Sequence, residues 1–175
     1  MQYELTTPCT AADLAPLKAG DTVLLSGVVY TARDQAHKRM LEALDKGEKL
    51  PFDLEGSAIY YVGPTPERPG EVIGSAGPTT SGRMDAMSPR LLDLGNKIMI
   101  GKGKRDAAVK EAVVRSGAVY LAALGGAGAL MARSVKTLEV IAWPDLGCEA
   151  VRHLTVQDMP LTVILDAHGG DLYLE

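Results

Sequence analysis

Short apolar runs alternate along this chain with stretches in which apolar residues recur every three or four positions. That alternation predicts an α/β fold rather than an all-β one. Residues 22–30 (TVLLSGVVY) have the density of a buried strand, interrupted at Gly27. Thr31 and Asp34 have the spacing of a capping box, opening a helix that runs to about Lys46 with Gly47 as its C-cap. Ala36, Met40, Ala43 and Leu44 form its expected buried stripe. Residues 57–62 read as a second strand and 71–75 as a third, with Pro64, Pro66 and Pro69 keeping the loop between them irregular. Met84, Met87, Leu91 and Leu94 keep helical spacing, and residues 97–100 form a short strand ending in Gly101-Lys102-Gly103. A helix over 106–116 is closed by Gly117, a strand follows over 118–124, and Gly125-Gly126-Ala127-Gly128 leads into a helix through about Arg133. The last third predicts strands at 138–143 and 151–156 and a closing hairpin pairing 161–166 with 172–174. Helices in the middle with extra strands at both ends predict a mixed, layered α/β domain, not a pure Rossmann sheet.

Composition narrows the function classes. A length of 175 residues fits one domain, here spanning 1–175. With 46% hydrophobic and 23% charged residues a packed core is expected, and with only 5% aromatics it is built from Leu, Val, Ile, Ala and Met. A net charge of −4 and a pI near 5.4 lack the clustered basic surface of a nucleic-acid binder. No apolar run reaches the roughly 18–20 residues that span a bilayer, and the N-terminus has no signal-peptide pattern, so a cytoplasmic location is expected. Cys9 and Cys148 are too few for a zinc ion or an iron–sulfur cluster, which take about four ligands. Two reduced thiols and no metal site in this chain are the expectation.

Several segments carry candidate chemistry. Between a strand and a helix, Gly74-Ser-Ala-Gly-Pro-Thr-Thr-Ser-Gly-Arg83 packs glycines, hydroxyls and an arginine into ten residues. Glycines let backbone N–H groups approach an anion, hydroxyls add donors, and Arg83 can clamp a carboxylate with two bonds. A helix start would add a favourable dipole. Composition alone balances this against an ordinary turn; adjacent Thr79 and Thr80, followed by Arg83, favour a site. Gly101-Lys102-Gly103-Lys104-Arg105 is one residue too long for a P-loop and lacks its Ser/Thr. Lys102, flanked by glycines, can reach a carboxylate, whereas Lys104 and Arg105 read as a solvated basic turn. The Gly125–Gly128 segment mimics a dinucleotide fingerprint, but Met131 stands where the third glycine belongs. Arg33 sits at the positive end of a helix, where an anion is welcome and an arginine is not stabilised; a surface arginine beside Asp34 is the competing reading. His37 fits a structural role as well as a catalytic one, and His153 and His168 read as structural or exposed.

Taken together these segments resemble the β region, or β subunit, of the class I iron–sulfur fumarases and tartrate dehydratases. The resemblance rests on Ser26-Gly27 with Arg33-Asp34-x-Ala36-His37-Lys38-Arg39, on Gly77-Pro-Thr-Thr-Ser-Gly-Arg-Met-Asp85, and on Gly101-Lys102-Gly103. It continues through Gly125-Gly126, Leu146-Gly-Cys-Glu-Ala150, Val156-x-Asp158-Met-Pro160 and Asp166-x-x-Gly169, nearly the whole chain in order. It implies a swivelling β/β/α three-layer domain with mixed sheets. It implies an α subunit as partner, carrying a [4Fe–4S] cluster that this chain does not hold. It also implies Arg33, Arg83 and Lys102 as substrate-binding residues for a dicarboxylate, with Thr79 and Thr80 as catalytic positions, one of which transfers the proton at carbon. The implied function is that of a hydro-lyase of the tricarboxylic acid cycle, reversibly hydrating fumarate to L-malate as a hetero-oligomer, with self-association also open. An L-tartrate dehydratase β subunit is the alternative, and a non-catalytic ligand-binding or regulatory swivelling domain is the reading from a different class.

Overall fold

The computed structural model describes residues 1–74, 76–123 and 128–174. Seven strands form one mixed sheet: β1 (Gln2–Thr6), β2 (Thr22–Thr31), β3 (Ala58–Tyr60), β4 (Ile98–Gly101), β5 (Val119–Ala122), β6 (Val135–Ala142) and β7 (Val151–Leu165). Strands β1 to β5 run parallel in sequence order, and β7 lies antiparallel to β5, β6 and β2. Because β7 pairs with both β5 and β2, strands β2, β3, β4, β5 and β7 close into a five-stranded, barrel-like sheet. Helices α1 (Ala11–Leu14), α2 (Asp34–Asp45), α3 (Ser88–Asp93) and α4 (Ala107–Ser116) lie in the connections between the parallel strands, and α5 (Gly128–Ser134) lies between β5 and β6.

Strand alternation makes two cores. Ala58, Tyr60 and Val62, Ile98 and Ile100, and Val119 and Leu121 share one cluster with Val23, Leu25 and Val29 of β2. The intervening Ile59, Tyr61, Met99, Tyr120 and Ala122 face the other way, onto Ala36 and Met40 of α2, Leu91 and Leu92 of α3, and Val109, Ala112 and Val113 of α4. Parallel strands covered on both faces carry unbroken apolar runs, which is why 98–100 and 119–122 are buried throughout.

Several elements follow their local chemistry. Helix α4 starts where the Asp106 side chain accepts the Val109 N–H at 3.0 Å and stops at Gly117 in the left-handed region (φ 69°). Helix α2 buries Ala36, His37, Met40 and Ala43, with Leu44 only partly covered. The expected capping box is absent: Arg33 is the N-cap and makes no side-chain cap bond. The Thr31 hydroxyl instead donates to the Ala150 carbonyl (3.3 Å) and accepts the Arg152 N–H (3.0 Å), joining β2 to β7.

Other expectations are corrected. Residues 71–74 form no strand: Ile73 alone is buried in the barrel core, between Pro69-Gly70 and Gly74. The helical spacing of 84–94 is split into a 3-10 turn, Ser81–Met84, and α3, with Pro89 in the first turn of the latter. The two strands expected at 151–156 and 161–166 are one. Its register with β2 shifts between Leu25 and Gly27, where β7 carries an extra residue and Asp158 takes a φ of 51°. That extra residue switches the side-chain parity, so Leu154 and Val156 before it and Met159, Leu161 and Val163 after it join the same core. No closing hairpin forms: 172–174 is a 3-10 turn, preceded by an isolated antiparallel bridge between Asp171 and Leu165. Among the described residues no helix is long and apolar enough to cross a membrane.

Gly27 takes a φ of 103°, and a Cβ there would lie 2.5 Å from the Thr7 hydroxyl and 3.0 Å from its backbone. Gly27→Ala is therefore expected to cost at least about 2 kcal/mol, combining strain with overpacking. Gly70→Ala, with a φ of 84° and open space, should cost about 1 kcal/mol. Urea unfolding of both variants measures the contrast, and equal costs would show that the Thr7 contact is unimportant.

Candidate functional site

Parallel strands that run side by side end on the same edge, so the turns following β2, β3 and β4 are neighbours. After β2, the Ala32 N–H bonds to the Tyr60 carbonyl (3.1 Å) and Arg33 caps α2. The His37 N–H and its Nδ1 both reach the Arg33 carbonyl, at 2.9 and 2.8 Å. A carbonyl only accepts, so Nδ1 carries the proton. The Arg33 guanidinium crosses Gly63, the turn after β3, where a Cβ would lie 2.8 Å from Nη1. Nη1 also stands 4.0 Å from the Cys148 Sγ. Arg33 Nε, 3.9 Å from the Asp34 carboxylate, is buried without a hydrogen-bond partner. Buried donors almost always have one, so this donor is out of the ordinary.

The hydroxyl-rich turn joins the same edge. The Thr79 N–H donates to the Tyr61 carbonyl at 2.6 Å, Thr80 forms a parallel bridge with Lys102, and the Ser81 N–H donates to the Lys102 carbonyl at 2.8 Å. Thus Thr79 and Thr80 stand between the end of β3 and the end of β4, and Lys102 directly follows β4. Arg83, in the 3-10 turn after Thr80, and Lys102 are exposed, and neither joins a salt bridge among the described residues. The helix dipole expected behind this loop is absent, because the turn is only four residues long and 3-10. The structure therefore brings Arg33, Thr79, Thr80, Arg83 and Lys102 to one edge of the sheet. Gly125–Ala127, which follow β5, lie outside the described residues.

Beneath this edge is a polar layer that the sequence did not reveal. Arg105, expected in a solvated turn, has a side chain with no exposure at all. Its Nε donates to Asp85 Oδ1 at 2.6 Å, its Nη2 to Ser88 Oγ (3.0 Å) and Tyr61 Oη (3.3 Å), and its Nη1 to the Met99 sulfur (3.4 Å). The guanidinium also packs over the rings of Tyr61 and Tyr120, 5.2 and 4.8 Å from their centres. Asp85 was visible only as the last residue of a motif; its guanidinium partner twenty positions on, Arg105, could not be read from spacing. Tyr61 and Tyr120, each set in an apolar run, were the available signal, since a buried Tyr normally keeps its hydroxyl near a polar partner.

His37 lies in this layer, fully enclosed, its ring edge-on to Tyr61 at 5.3 Å. Burial, reinforced by the nearby Arg105 charge, lowers its pKa from 6.5 to about 4. It is a neutral donor that holds the backbone of Arg33, and the geometry favours the structural role. His168 is likewise structural, its Nε2 lying 2.6 Å from the Ala15 carbonyl. Cys9 is buried with its thiol donating to Thr6 (3.4 Å), on a different element from exposed Cys148. The two thiols do not converge, and no group of three or more metal-ligating side chains occurs among the described residues. Grooves of about 500 and 480 Å³ flank the Pro-rich loop, lined by Thr65, Pro66 and Ile73 in common, and none of the five edge residues lines either. The edge is open.

Comparison with known proteins gives a consistent picture. The family model described as "Fumarase C-terminus" matches residues 1–175. The chain is 43% identical over 172 residues to a Methanocaldococcus jannaschii protein whose name places it with the β subunits of L(+)-tartrate dehydratase, covering 95% of this chain and 88% of that protein. It is 39% identical to fumarate hydratase 2 of Leishmania major and 37% identical to the aerobic class I fumarate hydratase of Escherichia coli K12. Those matches cover 91% and 93% of this chain but only 28% and 30% of the two enzymes.

A histidine whose folded pKa lies below its unfolded one stabilises the fold fully above about pH 6.5, and that contribution is lost as pH falls towards 4. The gap corresponds to about 3 kcal/mol. Between pH about 7.5 and about 4.5 the wild-type chain should lose roughly 2–3 kcal/mol more than His37→Gln. Urea titrations at both pH values measure this, and a constant offset between the two proteins contradicts it.

Proposed function

The chain belongs to the Fumarase C-terminus family, and from that premise we propose that it is the β subunit of a two-subunit iron–sulfur hydro-lyase that reversibly hydrates fumarate to L-malate. In this proposal residues 1–175 act as one swivelling β/β/α unit that closes against an α subunit. The cluster is held, in this proposal, by the α subunit; this chain's two cysteines, Cys9 in the loop before α1 and Cys148 in the 3-10 segment Pro144–Glu149, are fewer than such a cluster takes.

One observation carries the reading: the turn bearing Thr79, Thr80 and Arg83 is joined by backbone bonds to the turn bearing Lys102, at the edge where Arg33 also emerges. In α/β folds with parallel strands, whether the sheet is open or closed into a barrel, ligands bind at the carboxyl ends of the strands, where this edge lies. The chemistry matches it. A dicarboxylate brings two negative charges; Arg33 and Arg83 offer planar forks and Lys102 a mobile point charge. Arg33 Nε and Asp34 Oδ1, 3.9 Å apart and both buried without a hydrogen-bond partner, leave this guanidinium only loosely tied to its neighbour. Removing the proton at the carbon beside a carboxylate builds charge on that carboxylate, and in the hydration direction addition of water's oxygen to the double bond builds the same charge before that carbon is protonated; preorganised cations stabilise the resulting enediolate more than the ground state. A threonine hydroxyl, Thr79 or Thr80, moves the proton at carbon; a hydroxyl is a weak base in water, and neighbouring cations favour its ionised form. The open edge leaves the other wall of the site to the α subunit.

L-Tartrate dehydration is a second reading, favoured by the 43% identity and matched length of the M. jannaschii relative. The two substrates differ by one hydroxyl, and this edge reads charge.

The test is to co-purify the chain with its iron–sulfur partner and assay fumarate, mesaconate and L-tartrate. Turnover of fumarate is expected, with Arg83→Ala lowering kcat/KM by at least about 10²–10³-fold. Wild-type activity on tartrate alone would select the second reading. Hydration of fumarate at the wild-type rate by Arg83→Ala would falsify the assigned role.

A further inference from the structure

The buried layer under the edge has a determinate hydrogen-bond direction. The Gly103 carbonyl can only accept, so the Tyr120 hydroxyl, 2.8 Å away, donates to it. Ser81 Oγ, 2.8 Å from Tyr120 Oη, must then be the donor to Tyr120. Ser88 likewise gives its proton to the Met84 carbonyl (3.0 Å), so Tyr61 donates to Ser88 at 3.1 Å while Arg105 Nη2 donates to both oxygens. Burial raises the Tyr120 pKa, which keeps its hydroxyl a donor. Asp85 uses both oxygens: Oδ1 takes Arg105 Nε, and Oδ2 takes the Asp106 N–H at 2.8 Å.

The Ser81–Tyr120 bond, the Ser88–Arg105 bond and both Asp85 bonds join the segment of Ser81 to Ser88 to strand β5 or to the segment of Gly103 to Asp106, and the Tyr120–Gly103 bond ties β5 to that second segment. The first segment carries Arg83 and the second follows Lys102. At Gly101 the two are in such close contact that a Cβ would collide with the Ser81 hydroxyl. A buried ion pair is weak evidence for stability, because an apolar replacement of both partners is often neutral; what it supplies is a unique arrangement.

We propose that the buried Asp85–Arg105 pair, with the Tyr120 hydroxyl, is a positioning device that fixes the separation of Arg83 from Lys102 and so sets the span of dianion the edge accepts. This rests on the reading of Arg83 and Lys102 as the carboxylate-binding cations. Neither Asp85 nor Arg105 touches the substrate in this proposal; the Arg105 side chain has no exposed surface. Lysine in its place keeps the charge but loses the fork that holds Asp85, Ser88 and Tyr61 together.

Two measurements test it, using Arg105→Lys and the double variant Asp85→Asn/Arg105→Met. The first is amide hydrogen exchange on the full chain. In both variants the Ser81 amide, bonded to Lys102, and the Asp106 amide, bonded to Asp85, should exchange at least about tenfold faster, while amides of β4 and β5 keep wild-type protection. Unchanged exchange at Ser81 and Asp106, or an equal acceleration throughout β4 and β5, overturns the proposal. The second is steady-state kinetics of the chain assembled with its partner. Arg105→Lys should raise KM for fumarate by on the order of 10–100-fold and change the ratio of kcat/KM for fumarate over mesaconate. A lower kcat with KM and that ratio unchanged means only less folded enzyme, and also overturns it. Should the wild-type assembly turn over no dicarboxylate, the functional reading fails instead, and amide exchange still decides the tie.

Discussion

Parallel strand pairing is the constraint on which the site depends. Strands β2, β3 and β4 run in one direction and in adjacent register, so the residues following them must emerge along one edge. Arg33, Gly63 and Lys102 are each within three residues of a strand end, and the loop carrying Thr79 to Arg83 is stitched in between by the Tyr61 and Lys102 carbonyls. No long-range attraction among the cations is needed to gather them; they would repel one another. Backbone hydrogen bonding and the two apolar cores hold them together against that repulsion, which, on the proposed reading, favours the binding of a dianion.

A second layer makes the arrangement specific. Closing a five-stranded sheet through β7 buries one face of β2 to β5, and α2 to α4 cover the other. The outward-facing tyrosines Tyr61 and Tyr120 lie immediately below the edge, where Arg105 and Asp85 find them. His37 belongs to the same layer, tying the Arg33 backbone down from below. Catalytic edges need cations whose positions do not drift, and side chains on exposed turns cannot supply that alone.

How far this was legible depends on the range of the interaction. Local chemistry could be read: Asp106 capping α4, Gly117 ending it, and apolar runs over 98–100 and 119–122 all follow from neighbours in sequence. Five of the edge residues were marked by residue type and by family resemblance, and the structure places them together; their chemical roles remain proposals. Long-range pairing was not legible. Gly101-Lys-Gly-Lys-Arg105 has the composition of a solvated turn, and nothing local distinguishes Arg105, which is buried, from Lys104, which is exposed. The difference is Asp85, brought in by the fold. Strand β7 was read as two because Asp158 and Pro160 interrupt its pattern, although a bulge makes one strand of it. Thr31 looked like a cap because its competing partners, Ala150 and Arg152, are more than a hundred residues away.

The most direct measurement is a crystal structure of the chain assembled with its iron–sulfur partner and L-malate. The account expects both carboxylates to lie against this edge, with Arg33, Arg83 and Lys102 each donating to them within about 3.5 Å. A malate bound with either carboxylate held by other cations, and these three left facing solvent, would contradict it.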